Sequence, residues 1–313
     1  MSGTLNPRQA YGEELLALGK ENPDIVVLEA DLGKSTMSNI FGQAFPERYF
    51  EMGIAEQNML STAAGLAAGG KIAFCHTFSV FISGRAYDQV RQAIAIGRLN
   101  VKLCGSSAGL SDFGDGSTHQ SVEDIALMSA IPGMTVLAPC DAYETRLAVR
   151  AAAEIPGPVF IRVVRNDLPA LVPKGAGFSM GPRLLKEGKD ILILAHGAMT
   201  AQAMEAARQL EGQNISAAVA NIAALKPFPY ELVAEMAGKY KAVLTAEDHS
   251  YIGGLTAATA FALRKSKVPL DYVAIEDRFG QSARALDDLM EHYGLTAGDI
   301  VCKAKALLEY AAK

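Results

Sequence analysis

Short β-rich runs alternate with helical stretches along almost the whole chain, and this alternation narrows the fold more than any single residue does. Ile25-Val-Val-Leu-Glu-Ala30, Lys71-Ile-Ala-Phe74, Val101-Lys-Leu-Cys104, Thr135-Val-Leu-Ala138 and Val159-Phe-Ile-Arg-Val163 read as buried strands. Amphipathic or Ala-rich segments over 10–20, 88–96 and 142–154 lie between them. Apolar strands separated by helices imply a parallel sheet covered on both faces. The pattern pauses over 166–189, where four glycines and three prolines mark a linker region. A second strand–helix series starts at Asp190-Ile-Leu-Ile-Leu-Ala195 and continues through 215–222, 242–246 and 270–275. The expected fold class is therefore α/β, with two three-layer α/β/α domains over 1–178 and 187–313. A chain of 313 residues suits two such domains.

Composition removes several function classes. The formal net charge is −5 and no basic stripe is present, which argues against nucleic-acid binding. No apolar run is long enough to span a bilayer, so no membrane role is expected. Met1-Ser-Gly-Thr-Leu-Asn-Pro7 lacks the charged-then-apolar pattern of a signal peptide. Cys75, Cys104, Cys140 and Cys302 form no CxxC pair, and free thiols fit a cytoplasmic protein. His76, His196, His249 and His292 show no metal-ligand spacing and are read as structural. No residue is read as a metal ligand.

The stretch Gly53-Ile-Ala-Glu-Gln-Asn-Met-Leu-Ser-Thr-Ala63 places a lone carboxylate, Glu56, at the start of a small-residue helix. Such a helix packs closely, so its one acid is expensive to ionise. Phe78 and Phe81 follow in His76-Thr-Phe-Ser-Val-Phe81. An acid beside an aromatic shelf suits a flat, protonatable heterocycle. The plain reading is an exposed helix-terminal charge and two core phenylalanines. A polar loop, Gly114-Asp-Gly-Ser-Thr-His-Gln-Ser-Val-Glu-Asp124, adds Asp115 and His119. A histidine moves protons to or from hydroxyls near neutral pH, although the pair would also serve as a polar turn.

From Pro7 onward these ordered motifs resemble the C-terminal half of a transketolase, comprising a pyrimidine-binding domain and a C-terminal domain. The resemblance implies that Glu56 hydrogen-bonds a ring nitrogen of the aminopyrimidine of thiamine diphosphate and that Phe78 and Phe81 seat the ring. Arg85, in Gly84-Arg-Ala-Tyr-Asp-Gln-Val-Arg91, lies beside this pocket, and Asp31 falls at the cofactor edge. His119 and Asp115 would bind sugar hydroxyls, with His119 also catalytic. Arg8 and Arg165 would clamp the anionic end of the substrate, where planar guanidinium forks suit phosphate or sulfonate. Ser35 would touch the donor's phosphate. Thr245-Ala-Glu-Asp-His-Ser-Tyr-Ile-Gly-Gly254, Asp277-Arg-Phe-Gly-Gln-Ser282 and Tyr293-Gly-Leu-Thr-Ala-Gly-Asp-Ile300 resemble segments of the C-terminal domain, which is assigned to assembly.

Three departures from the family pattern bear on function. Ser107 stands where the family has a histidine that contacts phosphate, and Gly114 replaces an acid. Both lie on the substrate side and leave phosphate or sulfonate open. The third is an absence: Gly114-Asp-Gly116 is followed by no asparagine from Ser117 to Ile155, so it is not a diphosphate motif. The diphosphate and Mg²⁺ (or Ca²⁺) are expected on a partner chain, an N-terminal transketolase subunit, in an α2β2 heterotetramer with self-association of this chain. This chain alone is expected to be inactive.

The expected function is transfer of a two-carbon ketol unit from an anionic ketose to an aldose in carbohydrate metabolism of the pentose phosphate type. Rivals are a β subunit of a 2-oxo-acid dehydrogenase, a deoxyxylulose-phosphate-synthase-like fragment, and a non-catalytic assembly or regulatory module that kept the fold. The Asp115–His119 loop and Arg8 favour transketolase.

Overall fold

Strand side chains point alternately to two faces, so a strand is apolar throughout only when both faces are covered. Ile25 to Glu29 are all buried. Val26 and Leu28 pack with Met59, Leu60 and Ala63 of one helix layer, while Ile25 and Val27 pack with Tyr11, Leu15 and Phe41 of another. Ile191 and Ile193 likewise face one core and Leu192 and Leu194 a second. Both expected three-layer domains are present.

The computed structural model describes residues 4–313. Its strands are β1 (Thr4–Leu5), β2 (Ile25–Glu29), β3 (Tyr49–Glu51), β4 (Ile72–Phe78), β5 (Val101–Ser106), β6 (Thr135–Leu137) and β7 (Val159–Arg162). There follow β8 (Leu168–Pro169), β9 (Arg183–Lys186), β10 (Ile191–Ala195), β11 (Ala217–Asn221), β12 (Ala224–Lys226), β13 (Ala242–Ser250) and β14 (Leu270–Ile275). One sheet runs β12-β6-β7-β5-β4-β2-β3 and the other β14-β13-β10-β11-β9. Within these two sheets pairing is parallel except where β12 meets β6 and β9 meets β11, and β1 and β8 form a separate antiparallel pair.

The span 166–189 contains β8 and β9, and β9 pairs with β11, so the second sheet starts before 187. Its short strands sit at sheet edges among glycines and prolines, which hid them. β12 lies within the second sequence series yet completes the first sheet, with Ala224 opposite Leu137. The domains are therefore interlocked.

A buried ion cluster reinforces this join. Arg162, at the end of β7, donates Nε to Asp124 Oδ2 at 3.0 Å and Nη1 to Asp248 Oδ1 at 2.7 Å. Asp248 belongs to β13 of the other sheet. Burial pulls the arginine's pKa down, but the two carboxylates more than offset it and the guanidinium is held charged. Gly109 has φ +61°, and a methyl group there would overlap the Asp248 carboxylate, so both conformation and space require glycine.

Candidate active site

β7, β5, β4, β2 and β3 are adjacent and parallel, so their carboxyl ends share one edge. Ligands of open α/β sheets bind in the crevice outside this edge. The chain leaves it with Arg165 beyond β7, Ser107 beyond β5, Phe78 and Phe81 at β4, Asp31 to Ser35 beyond β2, and Glu56 beyond β3. Topology thereby gathers residues that are far apart in sequence.

Glu51 prepares the turn toward Glu56: its Oε1 accepts the N–H groups of Gly53 at 3.0 Å and Asp31 at 2.8 Å. The helix Glu56–Ala68 begins at Glu56 itself, which is 2% exposed. Arg85 Nη1 donates to Glu56 Oε1 at 2.8 Å, and its guanidinium carbon lies 4.3 Å from the centre of the Phe81 ring. That stacking is a cation–π contact. The rings of Phe78 and Phe81 lie 6.0 Å apart and within 16° of parallel. Phe78 is buried and Phe81 only half-buried, so one ring backs the other.

His119 closes this assembly. It follows the short turn Gly116–Thr118 and meets Phe81 edge-on at 5.3 Å and Phe78 at 6.1 Å. Thr118 Oγ1 lies 2.9 Å from its Nδ1, which orients the ring. Glu56, Arg85, Phe81, Phe78 and His119 thus form one continuous set of contacts. Phe78 is also a core residue, as the plain reading has it, whereas Phe81 is only half-buried.

Arg8 and Arg165 are brought together by a small ribbon that the sequence pattern did not reveal. Thr4 and Leu5 of β1 pair with Pro169 and Leu168 of β8. Asn6 then caps the helix Pro7–Glu21 by accepting the N–H groups of Arg8 and Gln9, and its Nδ2 donates to the Arg165 carbonyl at 3.2 Å. Arg165 Nη1 donates to Asp112 Oδ2 at 2.8 Å. Arg8 Nη1 donates to the carbonyl of Ser35 at 2.8 Å, so this contact uses the Ser35 backbone. Burial lowers the pKa of Arg8, and the charge of Arg165 lowers it further. Burial raises the carboxyl of Asp112, Arg165 draws it back down, and Asp115 pushes it up again.

The remaining expected residues are placed less directly. Asp31 and Asp115 are exposed, with Asp31 in a left-handed conformation at φ +61°. Ser107, expected at the substrate's anionic end, is instead fully buried at φ +53°, and its hydroxyl has no partner among the described residues. The chain folds inward there, with the Ala108 N–H bonding to the Val163 carbonyl at 3.2 Å.

Two acids escaped the sequence reading. Asp112 precedes the quoted loop by two residues, where Leu110 and Phe113 around an acid were the available signal. Glu29 ends β2, and burial pushes its carboxyl up to about 7 against hydrogen bonds from Ser38, Thr36 and the Ala30 and Leu32 N–H groups. It holds the loop that carries Asp31 and Ser35, with Thr36 Oγ1 at 2.7 Å and Ser38 Oγ at 2.5 Å from Oε2. His76 is buried against the Tyr11 hydroxyl at 2.9 Å, and burial lowers its pKa to about 4. Among the described residues no group of His, Cys, Asp or Glu is placed to hold a metal ion. No helix there is long and apolar enough to cross a membrane.

Residues 4–170 match the family model for the transketolase pyrimidine binding domain, and residues 182–300 match that for the transketolase C-terminal domain. The chain is 42% identical over 304 residues to the 6-deoxy-6-sulfo-D-fructose transketolase subunit of Clostridium sp. (strain MSTE9), covering 96% of this chain and 94% of the relative. It is 32% identical over 308 residues to an apulose-4-phosphate transketolase subunit of Phocaeicola vulgatus, covering 98% and 97%. The solved structure of a split-gene transketolase, an inactive β4 tetramer, superposes with a TM-score of 0.88 at 46% identity, covering 98% of this chain and 99% of that one. Together with the site at the sheet edge, these matches show that the chain belongs to the transketolase family, of which it comprises the pyrimidine-binding and C-terminal domains.

Proposed function

We propose that this chain is one subunit of a thiamine-diphosphate-dependent transketolase, working with a second polypeptide that holds the diphosphate and its Mg²⁺ (or Ca²⁺). The observation that carries the reading is the buried Glu56 carboxyl set beside the Phe78–Phe81 pair. These residues fit the pyrimidine half of the cofactor, since they pair an acid with an accessible aromatic face. They leave the diphosphate half to the partner, because no asparagine follows Gly114-Asp-Gly116 up to Ile155.

Thiamine diphosphate, when bound, supplies an electron sink at the carbonyl carbon whose bond is made or broken. Glu56, whose Oε1 accepts from Arg85, would hold a proton at the ring nitrogen. Phe81 seats the ring, Phe78 backs it and Asp31 borders its edge. His119 gives or takes the proton of a substrate hydroxyl, and Asp115 accepts a hydrogen bond from another. Arg8 and Arg165 hold the distal anionic group near Ser35. Ser107, buried, receives no substrate contact in this reading. An α2β2 assembly follows if each site lies between two chains.

The test is two-carbon transfer from a ketose phosphate or sulfo-ketose to an aldose phosphate, with thiamine diphosphate and Mg²⁺, with and without the partner. Transfer only in the mixture is the expected result. Decarboxylation of pyruvate by the mixture, without ketol transfer, would instead assign it to the 2-oxo-acid dehydrogenases. Transfer by this chain alone would refute the need for a partner.

A further inference from the structure

The pair of arginines at the anionic end is not as positive as it looks. Asp112 lies against Arg165 at 2.8 Å, and its side chain is only 3% exposed. Its backbone is tied down: Gln120 Nε2 donates to the Asp112 carbonyl and to the Gln281 carbonyl, each at 3.0 Å. Arg8 approaches from the other side, with Nη1 on the Ser35 carbonyl and a buried Nε that has no partner among the described residues.

Charge counting then decides what fits. Arg8 and Arg165 contribute two positive charges and Asp112 removes one, leaving a formal net charge of one. Asp115 and Asp167 are close enough to act on these groups and add negative potential. A phosphate monoester carries about −1.5 to −2 near neutral pH. A sulfonate carries a single charge spread over three acceptor oxygens. One Arg165 nitrogen is already engaged by Asp112, which leaves less of its fork for a ligand and sets a carboxylate facing any incoming dianion.

We propose that Asp112 is a specificity-determining residue, selecting ketoses whose distal group bears a single negative charge, of the sulfonate class, over phosphate dianions. The inference rests on the transketolase reading for the identity of the ligand as a ketose, but charge selection is measurable without turnover. A substrate of this class must be supplied by reactions that place a sulfonate on the terminal carbon of a sugar.

The experiment is calorimetric binding of 6-deoxy-6-sulfo-D-fructose and D-fructose 6-phosphate to the chain in complex with its partner at pH 7.5. The wild-type complex should bind the sulfo-sugar about tenfold more tightly or better. Asp112→Asn, which keeps the shape and removes the charge, should shift the ratio toward the phosphate by at least about tenfold. Asp112→Leu should shift it the same way, which guards against a folding defect in one variant. Tighter phosphate binding by the wild type, lost in Asp112→Asn, would overturn the inference, since the acid would then be serving to hold Arg165 for phosphate. Turnover separates the two levels: charge selection without ketol transfer from either sugar would refute only the transketolase reading. Ketol transfer with a sugar preference unmoved by Asp112→Asn would refute only the role of Asp112.

Discussion

Arg85 and Glu56 form a one-sided ion pair, in which Nη1 and Oε1 are 2.8 Å apart while the carboxyl is shut away and the arginine is half in solvent. Removing one partner is therefore not equivalent to removing the other. Arg85→Ala leaves a buried acid without its donor and should destabilise the fold by about 1–3 kcal/mol. Glu56→Gln frees an arginine that water can serve and should cost about 1 kcal/mol or less. Urea unfolding of the two variants measures the order, and equal losses would contradict it.

Catalysis should show the opposite ranking. Glu56→Gln cannot exchange a proton with the pyrimidine nitrogen and should lower ketol transfer by the complex about 100-fold or more. Size-exclusion chromatography should still show the complex intact. Unchanged turnover would remove Glu56 from the mechanism.

Glu29 makes a prediction about pH. Its folded-state pKa of about 7 lies above that of an unfolded glutamate, so the fold favours the neutral form. The stability it contributes is full below about pH 4 and is lost as pH rises toward 7. Glu29→Gln mimics the neutral acid at every pH. Relative to the wild type, it should therefore become more stable between pH 5 and pH 8 by about 2–3 kcal/mol. Denaturant titrations at the two pH values test this, and a parallel pH dependence for both proteins would count against it.

The Arg162 cluster predicts coupling between domains. Arg162→Met strands the Asp124 and Asp248 carboxylates in the interior and should cost about 3–5 kcal/mol. Asp248→Asn keeps a polar partner and should cost less. Unfolding followed separately at each domain should split into two transitions in Arg162→Met, whereas one undivided transition would argue against the coupling.

Much of the fold was legible because buried parallel strands are written as plain apolar runs such as Ile25 to Leu28 and Ile191 to Leu194. The acid and aromatic pair were legible for a related reason, since Glu56 stands out against a helix of alanine and glycine. Asp112 was not, because an acid before a polar loop looks the same whether it faces water or is buried against a part-exposed arginine. Nor was the approach of Arg8 to Arg165, which depends on a ribbon of two-residue strands too short for any periodicity. The burial of Ser107 was not legible either, because sequence position along a loop does not show which way the loop turns.

The strand β12 has a consequence for how such a gene can be divided. A cut between the two sequence series, near residue 180, would strip β6 of its antiparallel neighbour and leave Val136 and Leu137 on an open flank. An unguarded flank of that kind invites pairing with other copies. The hydrophobic helix faces shared across the join would be bared at the same time. A division of the chain within this pair of domains would therefore be damaging.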